Sequence, residues 1–570
     1  MSDFAKLSTD FSKDIGEKPW NVYPRPQLKR DSFYCLNGKW GFEVSENPEI
    51  PRNFTREILV PFCPESILSG IDEVFDEENY LFYKTEFSIP SDLLNDRIIL
   101  HFGAVDGETD VFLNGKKIGD HIGGYDPFEF DITEHLREMN VLTVRVSDRL
   151  SEQIYPYGKQ CKKRGGMWYT PVSGIWQTVW IEGVPKTYVK SLSVETGENF
   201  AEIFAEGIDE GVLKIQIDGK DKCYEMKKGR VRLELENPNL WSPENPFLYN
   251  FEIEAGKDRI SSYFALRTIE TKNVNGKLRL CLNGEPYFFH GLLDQGYWSD
   301  GLFTPATPEA LTFDILEMKR LGFNTLRKHI KIEIEQFYYD CDRLGMIVFQ
   351  DMINNSDYNF LRDTALPTIG IKKLGDKHLH KNKKSRRFFE EYMYKTVKLL
   401  KNHPSVCYWT IFNEGWGQFC GSEMYRKLKK FDDTRIIDTA SGWFSGVESD
   451  VVSEHVYFKP FKFKPSNKLP TVLSEFGGYS YRPEGHIFNL KKAYGYKFFE
   501  DREEFQNELI KLYENEIVPA AKNGLSGAIY TQVSDVEDET NGLLSYDRKV
   551  LKVDREKMLE IAEKLKDAVL

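Results

Sequence analysis

GFNTLRKHIKIEIEQFYYDCDRLGMIVFQDM, residues 322–352, reads as an apolar strand run, an amphipathic helix over 333–345 and a second strand run. The same grammar fills residues 276–570, where the strand runs are YFFHGL, NTLRKHI, MIVFQDM, VCYWTIFN, RIIDTA, VVSEHVY, TVLSEF and GAIYTQV. Further helices are PEALTFDILEMKRLG (308–322), SRRFFEEYMYKTVKLLKN (385–402) and DREKMLEIAEKLKDAVL (554–570). Strand–helix alternation repeated eight times is what a (β/α)8 TIM barrel requires. A doubly wound open sheet is the competing arrangement, but no GxGxxG loop follows any of these strands.

Upstream the grammar is different. Residues 1–185 hold short alternating runs such as RIILHFG (97–103), TDVFLNG (109–115) and NVLTVRVSD (140–148), with a hairpin signal at Asn114-Gly115. Without a long amphipathic helix, this stretch reads as a β-sandwich. Residues 186–275 repeat short strands, among them VLKIQID (212–218), VRLELE (231–236) and YNFEIEA (249–255), a pattern that fits a small immunoglobulin-like sandwich. The fold class is therefore multidomain, β followed by α/β, with units at 1–185, 186–275 and 276–570.

The chain has 570 residues, 76 Lys and Arg against 89 Asp and Glu, and a formal net charge of −13. Acidic balance argues against a generic nucleic-acid binder, whose affinity needs clustered Lys and Arg. No stretch approaches the ~18–20 apolar residues of a membrane span, and MSDFAKLSTDFSKD shows no leader pattern. Eight scattered cysteines without a CxxC pair read as reduced and structural. The expected setting is the cytoplasm.

In barrels, function collects where strands end and βα loops converge. That filter singles out Glu414, closing the fourth strand in WTIFNEGWG, and Glu475, closing the seventh in TVLSEFGG. Two carboxyl groups about 5–5.5 Å apart are what retaining glycoside hydrolysis requires, one protonated to donate and one ionised to attack. Proximity separates their roles, because one negative charge raises the pKa of the other acid. Arg327, at the end of the second strand, is the candidate for keeping Glu475 ionised. Neither HExxH nor a P-loop is present, so no metal or organic cofactor is expected.

YPRPQLKRDSFYCLNGKWGFE (23–43), GGYDPFEFDIT (123–133), WYTPVSGIWQTVWIE (168–182), FNTLRKHI, FNEGWG and SEFGG together resemble glycoside hydrolase family 2 in its short three-domain form. The resemblance implies a sugar-binding jelly-roll, an immunoglobulin-like domain and a catalytic barrel. It implies Glu414 as general acid/base, Glu475 as nucleophile, Asn413 as partner of the sugar 2-hydroxyl, Tyr457 as the tyrosine touching the nucleophile and His329 as a residue facing the ring. His455, two residues before Tyr457, points to the same site or serves structure alone. Asp294, Gln295, Tyr297 and Trp298 after the first strand stand as specificity residues, with Trp298 as a stacking platform. Trp168 and Gln532 complete the substrate-binding candidates.

The departures bear on the sugar. Gly166 stands where an Asp that grips galactose would lie, and Thr531 where a tryptophan is frequent. Glucuronidases of the family read a carboxylate with Asn-x-Lys, whereas EDETNGLLSYDRK (537–549) places Glu539 and Asn541 there. The resulting expectation is an exo-acting retaining β-glycosidase taking a β-galactoside. A β-glucuronide or β-galacturonide is the alternative, and a catalytically silent carbohydrate-binding protein is the alternative of another class. Expected partners are a small glycoside or oligosaccharide and, as in other family members, further copies of the chain. The long loop 353–384 reads as a cleft wall or lid, and the basic stretch 371–387 as a solvated loop, an interface or a contact for an acidic group. His378-x-His380 within it is a weak metal signal.

Overall fold

Seven of the eight barrel strands are buried from end to end, as parallel strands sheathed by helices must be, while Val452–Val456 alternates half-buried and buried residues. In the computed structural model, which describes residues 3–366 and 376–569, the eight are β1 (Phe289–Asp294), β2 (Thr325–Lys328), β3 (Ile347–Asp351), β4 (Val406–Asn413), β5 (Ile436–Ser441), β6 (Val452–Val456), β7 (Thr471–Gly477) and β8 (Leu525–Thr531). Every ladder is parallel, in the order β5-β4-β3-β2-β1-β8-β7-β6. All eight expected strands are present. Across the β5–β6 seam, the Ser441 hydroxyl meets Ser453 at 3.2 Å and the His455 ring at 2.8 Å.

The helices follow their sequence signals. They are α1 (Pro308–Arg320), α2 (Glu335–Leu344), α3 (Lys383–Leu400), α4 (Gly421–Phe431), α5 (Arg502–Leu512), α6 (Val518–Lys522) and α7 (Arg555–Asp567). Asn382 caps α3 by accepting from the amides of Lys384 and Ser385, so that helix starts earlier than its apolar face suggested. The alternation lapses twice, because no helix follows β5 or β6. Segment 442–451 is rich in Gly and Ser, and segment 457–470 carries Pro460, Pro465 and Pro470, which deny a helix its amide donors.

The amino-terminal unit is a sandwich of a six-stranded and a four-stranded antiparallel sheet around Trp40, Phe42, Tyr83, Leu100, Phe102, Val144 and Ile181. Each such side chain, fully buried, contributes about 1.5–3 kcal/mol relative to exposure. The hairpin signal is realised between strands Glu108–Leu113 and Lys116–Ile122, with Asn114 at φ 54° and Gly115 at φ 81°. The middle unit has seven antiparallel strands over Ser191–Phe264. Its hairpin at Lys227–Arg230 is joined by a single pairing, so the ladder folds there into two faces enclosing Ile203, Leu213, Leu233, Phe251 and Ile253. A small sheet starting at Ile269–Val274 and Lys277–Leu282 packs under the barrel, where Arg279 donates to the carbonyls of Ala521 and Leu525. The boundary expected at 275/276 falls in the turn of that hairpin.

What sets the site is the seam between sandwich and barrel. Tyr125, Tyr169 and Trp176 of the sandwich interlock edge-on or tilted with Tyr297 and Phe303 of the barrel, at centroid separations of 4.8–5.8 Å. These residues share one continuous apolar cluster with the barrel core. The sandwich loop that follows is thereby held across the barrel mouth. Tyr157 donates its amide to Asn354 O, Arg164 reaches Glu537 and Asp538, and Thr170 N donates to Glu537.

Candidate active site

Two backbone irregularities bring Glu414 and Glu475 together. Glu475 follows a bulge in β7, where Ser474 is the extra residue between the pairings Glu454↔Leu473 and His455↔Glu475. A bulge bends the strand and re-aims the next side chain. Glu414 follows the last residue of β4 with φ 49°, a left-handed conformation costing about 1–3 kcal/mol for a residue with a Cβ. Its amide is fixed by a 2.9 Å hydrogen bond to Ser441 O. Gly415 must then be glycine, because at φ 74° a Cβ would lie 2.3 Å from the Phe444 ring.

Between the carboxylates sits His455. Its Nδ1 lies 2.9 Å from Glu414 Oε1 and 3.5 Å from Glu475 Oε2, while Nε2 contacts Ser441 Oγ at 2.8 Å. One oxygen of each glutamate and a His455 nitrogen all fall within 4.8 Å of one another. Tyr457 donates to Glu475 Oε2 at 2.5 Å and meets Thr531 Oγ1 at 2.9 Å. Arg327 donates to Glu475 Oε1 at 3.1 Å, to Ser474 O, to Asn413 Oδ1 at 2.8 Å and to Asp351. His329 Nδ1 meets Asp351 at 2.8 Å.

Charge in this cluster is sorted by environment. Burial pushes the Glu475 carboxyl up, but His455, Arg327 and His329 together with the Tyr457 hydrogen bond outweigh it and hold the group below the usual carboxylate range. Burial drives the His329 pKa down, with Asp351 opposing it in part. Arg327 stays charged, since Asp351 and Glu475 overcome its desolvation. Asn413 Nδ2 is buried and has no hydrogen-bond partner among the described residues, which leaves a donor at the site.

Three more residues line the other side: Trp168, expected there from the sequence, Glu539, whose place in EDETNG already stood out, and Lys159, which sequence position does not single out. Lys159 comes from the sandwich loop, is 7% exposed, and has its Nζ 4.7 Å from the centre of the Trp416 ring. Among the described residues nothing accepts a hydrogen bond from it. Burial lowers its pKa against the fields of Glu539, Glu475 and Glu414. Glu539 accepts from Asn541 at 3.1 Å and from the Tyr169 hydroxyl, and burial raises its pKa against the pull of Lys159. Trp168 is half-buried, 5.3 Å from Trp416 and 4.9 Å from Tyr358, at the rim of the cleft.

Other expectations need correction. Trp298 is 2% exposed, has the Arg548 guanidinium 4.1 Å from its ring centre, and forms a backbone pair with Leu302, so no sugar can stack on it. Asp294 is drawn sideways into a buried network, accepting from Lys328 at 2.7 Å and from Gly296 N, while Lys328 also meets Glu333 at 3.1 Å. Gln532 is fully buried, accepting from Gln295 at 2.8 Å and donating to Asn541 at 2.9 Å. It positions Asn541 and Glu539 from beneath and offers nothing to a ligand. In the basic stretch, residues 371–375 lie outside the described residues, as do 367–370 of the expected lid. Arg386 donates to the carbonyls of Lys377, Leu379 and His380, which makes it a loop clamp. His378 is exposed and His380 buried, so the pair does not share a face.

Three family models match consecutive stretches of the chain. They are a glycosyl hydrolase 2 galactose-binding domain-like model over residues 71–168, glycosyl hydrolases family 2 over 191–267, and the glycosyl hydrolases family 2 TIM barrel domain over 274–557. The chain is 26% identical over 365 residues to a β-galactosidase of Thermoanaerobacter pseudethanolicus, covering 59% of this chain and 45% of that protein. It is 25% identical over 448 residues to a putative β-glucuronidase of Formosa agariphila, covering 71% and 40%. The chain thus spans less than half the length of these two curated relatives. A solved β-glucuronidase from an uncultured Clostridium sp. shares the fold at a TM-score of 0.72 and 20% identity, covering 96% of this chain and 99% of that one.

Proposed function

Because the chain belongs to glycosyl hydrolase family 2, we propose that it is an exo-acting retaining β-glycosidase with Glu414 as general acid/base and Glu475 as nucleophile. The observation that carries this reading is the approach of the two carboxylates to within 4.8 Å at the ends of β4 and β7. That spacing suits the ~5–5.5 Å class, in which one carboxylate attacks the anomeric carbon directly, and not the ~6.5–9.5 Å class that seats an attacking water beneath the sugar. Glu475, held ionised by its cationic neighbours, forms the bond to that carbon as Glu414 protonates the departing oxygen. Water then enters, Glu414 takes its proton, the glycosyl–Glu475 bond breaks, and the sugar leaves with its configuration retained. The free Asn413 Nδ2 donor suits the 2-hydroxyl, where a hydrogen bond strengthens as charge develops on the ring.

Exo action is supported by the wall formed by Lys159, Trp168 and Tyr169, which the sandwich holds across one end of the cleft. For the sugar we favour a β-galactoside. Lys159 and Glu539 offer a donor beside an acceptor, the pairing that neighbouring hydroxyls of a neutral hexose satisfy. The β-uronide reading is favoured by a single feature, a buried ammonium without an acceptor, which is where a sugar carboxylate gains a charge-assisted bond. A panel of nitrophenyl β-D-galactoside, glucoside, mannoside, glucuronide, galacturonide and α-L-arabinoside decides between them. The galactoside is expected to lead. Uronides leading by about tenfold or more, with that lead lost in Lys159→Gln, would replace the neutral reading. No cleavage of any member would end the glycosidase proposal.

His455→Gln tests the electrostatics. His455 is the largest of the neighbours that lower the Glu475 pKa, so removing it raises that pKa, and the nucleophile is lost to protonation at higher pH. The acid limb of kcat/KM is expected to move to higher pH. An unmoved limb would show that His455 does not tune Glu475.

A further inference from the structure

We infer that Arg164 is a positioning residue that locks three walls of the cleft to one another and so sets the grip on the sugar without entering the chemistry. The walls are the sandwich loop up to Thr170, the loop after β7 that carries Tyr494, and the loop after β8 that carries Glu539. The joining stands on geometry alone, whereas its consequence for the substrate rests on the glycosidase reading above.

Arg164 Nη1 donates to Glu537 Oε2 at 3.1 Å and to Asp538 Oδ1 at 3.0 Å. Both acceptors are shared with the other walls. Glu537 also accepts from Thr170 N at 3.0 Å, and Asp538 accepts from Asn489 Nδ2 at 2.8 Å and from Gly166 N at 3.4 Å. Tyr494 N donates to Asp538 O at 2.6 Å, and its carbonyl accepts from Thr540 N at 3.0 Å, which laces the loop after β7 to residues 538–540. Gly166 lies against the same tyrosine, since a Cβ there would stand 3.5 Å from the Tyr494 ring. The Arg164 side chain is 18% exposed, with its Cζ 4.2 Å from the centre of the Phe4 ring and 4.9 Å from that of Phe488.

Glu537 and Asp538 are 2% and 5% exposed, and among the described residues Arg164 is the one cation that pairs with either. Burial pushes the Glu537 carboxyl up, with Arg164 the largest pull the other way. Without that charge, two adjacent buried carboxylates are left uncompensated, which favours opening of the turn that holds them. That turn carries the wall: Val536 and Glu539 exchange backbone hydrogen bonds of 2.9 and 2.8 Å, and the Glu539 side chain accepts from the Tyr169 hydroxyl. The reacting pair is held elsewhere, Glu414 by Ser441 O and Glu475 by Arg327 and Tyr457, through contacts that do not involve Arg164. Loosening the clamp therefore removes binding contacts and spares the chemistry, which raises KM at near-constant kcat.

The test compares the full chain with Arg164→Gln and Arg164→Lys. Hydrogen exchange read by mass spectrometry should show residues 163–170, 489–496 and 537–541 losing protection together in Arg164→Gln, with 406–413 and 471–477 unchanged. On the best substrate of the nitrophenyl panel, KM should rise about tenfold or more with kcat held within about threefold. Arg164→Lys keeps the charge but loses the planar fork, so it should fall between. If Arg164→Gln lacks a native circular dichroism spectrum, Arg164→Lys decides by the same two measurements. Loss of protection confined to 163–170, or a fall in kcat at unchanged KM, which a smaller folded fraction would give, overturns the inference. Since exchange needs no turnover, the clamp can fail while the glycosidase reading stands, and the reverse.

Discussion

Glu475→Ala is expected to lower kcat/KM by about 10^4-fold or more on every substrate the enzyme cleaves, a loss of about 5.5 kcal/mol in transition-state stabilisation. The side chain is buried at the base of the cleft, and it is the one carboxylate there held ionised by His455, Arg327 and Tyr457. No neighbour can replace it, because Asp351 is already paired with Arg327 and His329. Alanine also leaves a small void between cations, which azide can enter. The expected product of azide rescue is an α-glycosyl azide, since the ion attacks from the face that Glu475 occupied. Retained wild-type turnover, or rescue giving only the β-azide, would remove Glu475 from the role of nucleophile.

Glu414→Ala should show a different dependence on the leaving group. A general acid contributes about 10^2–10^4-fold when the departing oxygen needs a proton and little when it is already a good leaving group. Hydrolysis of an unactivated alkyl or sugar glycoside is therefore expected to fall by about 10^3-fold, and that of a dinitrophenyl glycoside by about tenfold or less in kcat/KM. With the activated substrate both kcat and KM should drop, because the base that activates water is missing and the glycosyl intermediate accumulates. Azide should here give the β-glycosyl azide, the mirror outcome to Glu475→Ala. A uniform loss across leaving groups would mean that Glu414 positions substrate without transferring a proton.

Lys159 and Glu539 show where sequence position misleads. The run EDETNG argued against an acidic sugar because no lysine stood beside Glu539 in the chain. A lysine stands beside it in space, delivered from a domain some hundreds of residues upstream. Trp298 errs in the opposite direction. It follows a strand end and carries a large flat ring, yet the chain turns back at Trp298–Leu302 and seats that ring under Arg548.

The order of strands and helices, the barrel, and the placing of Glu414 and Glu475 at strand ends were legible in the amino-acid sequence. Hydrophobic periodicity and strand termini are local properties, encoded within a few residues of where they act. The tertiary structure alone decided which strand-end side chains face the cleft, how a bulge at Ser474 and a left-handed Glu414 bring two carboxylates to one histidine, and which residues of the sandwich close the pocket. Those outcomes depend on packing between segments far apart in the chain, such as the aromatic seam of Tyr125, Tyr169, Trp176, Tyr297 and Phe303, and no pattern within any one segment specifies them.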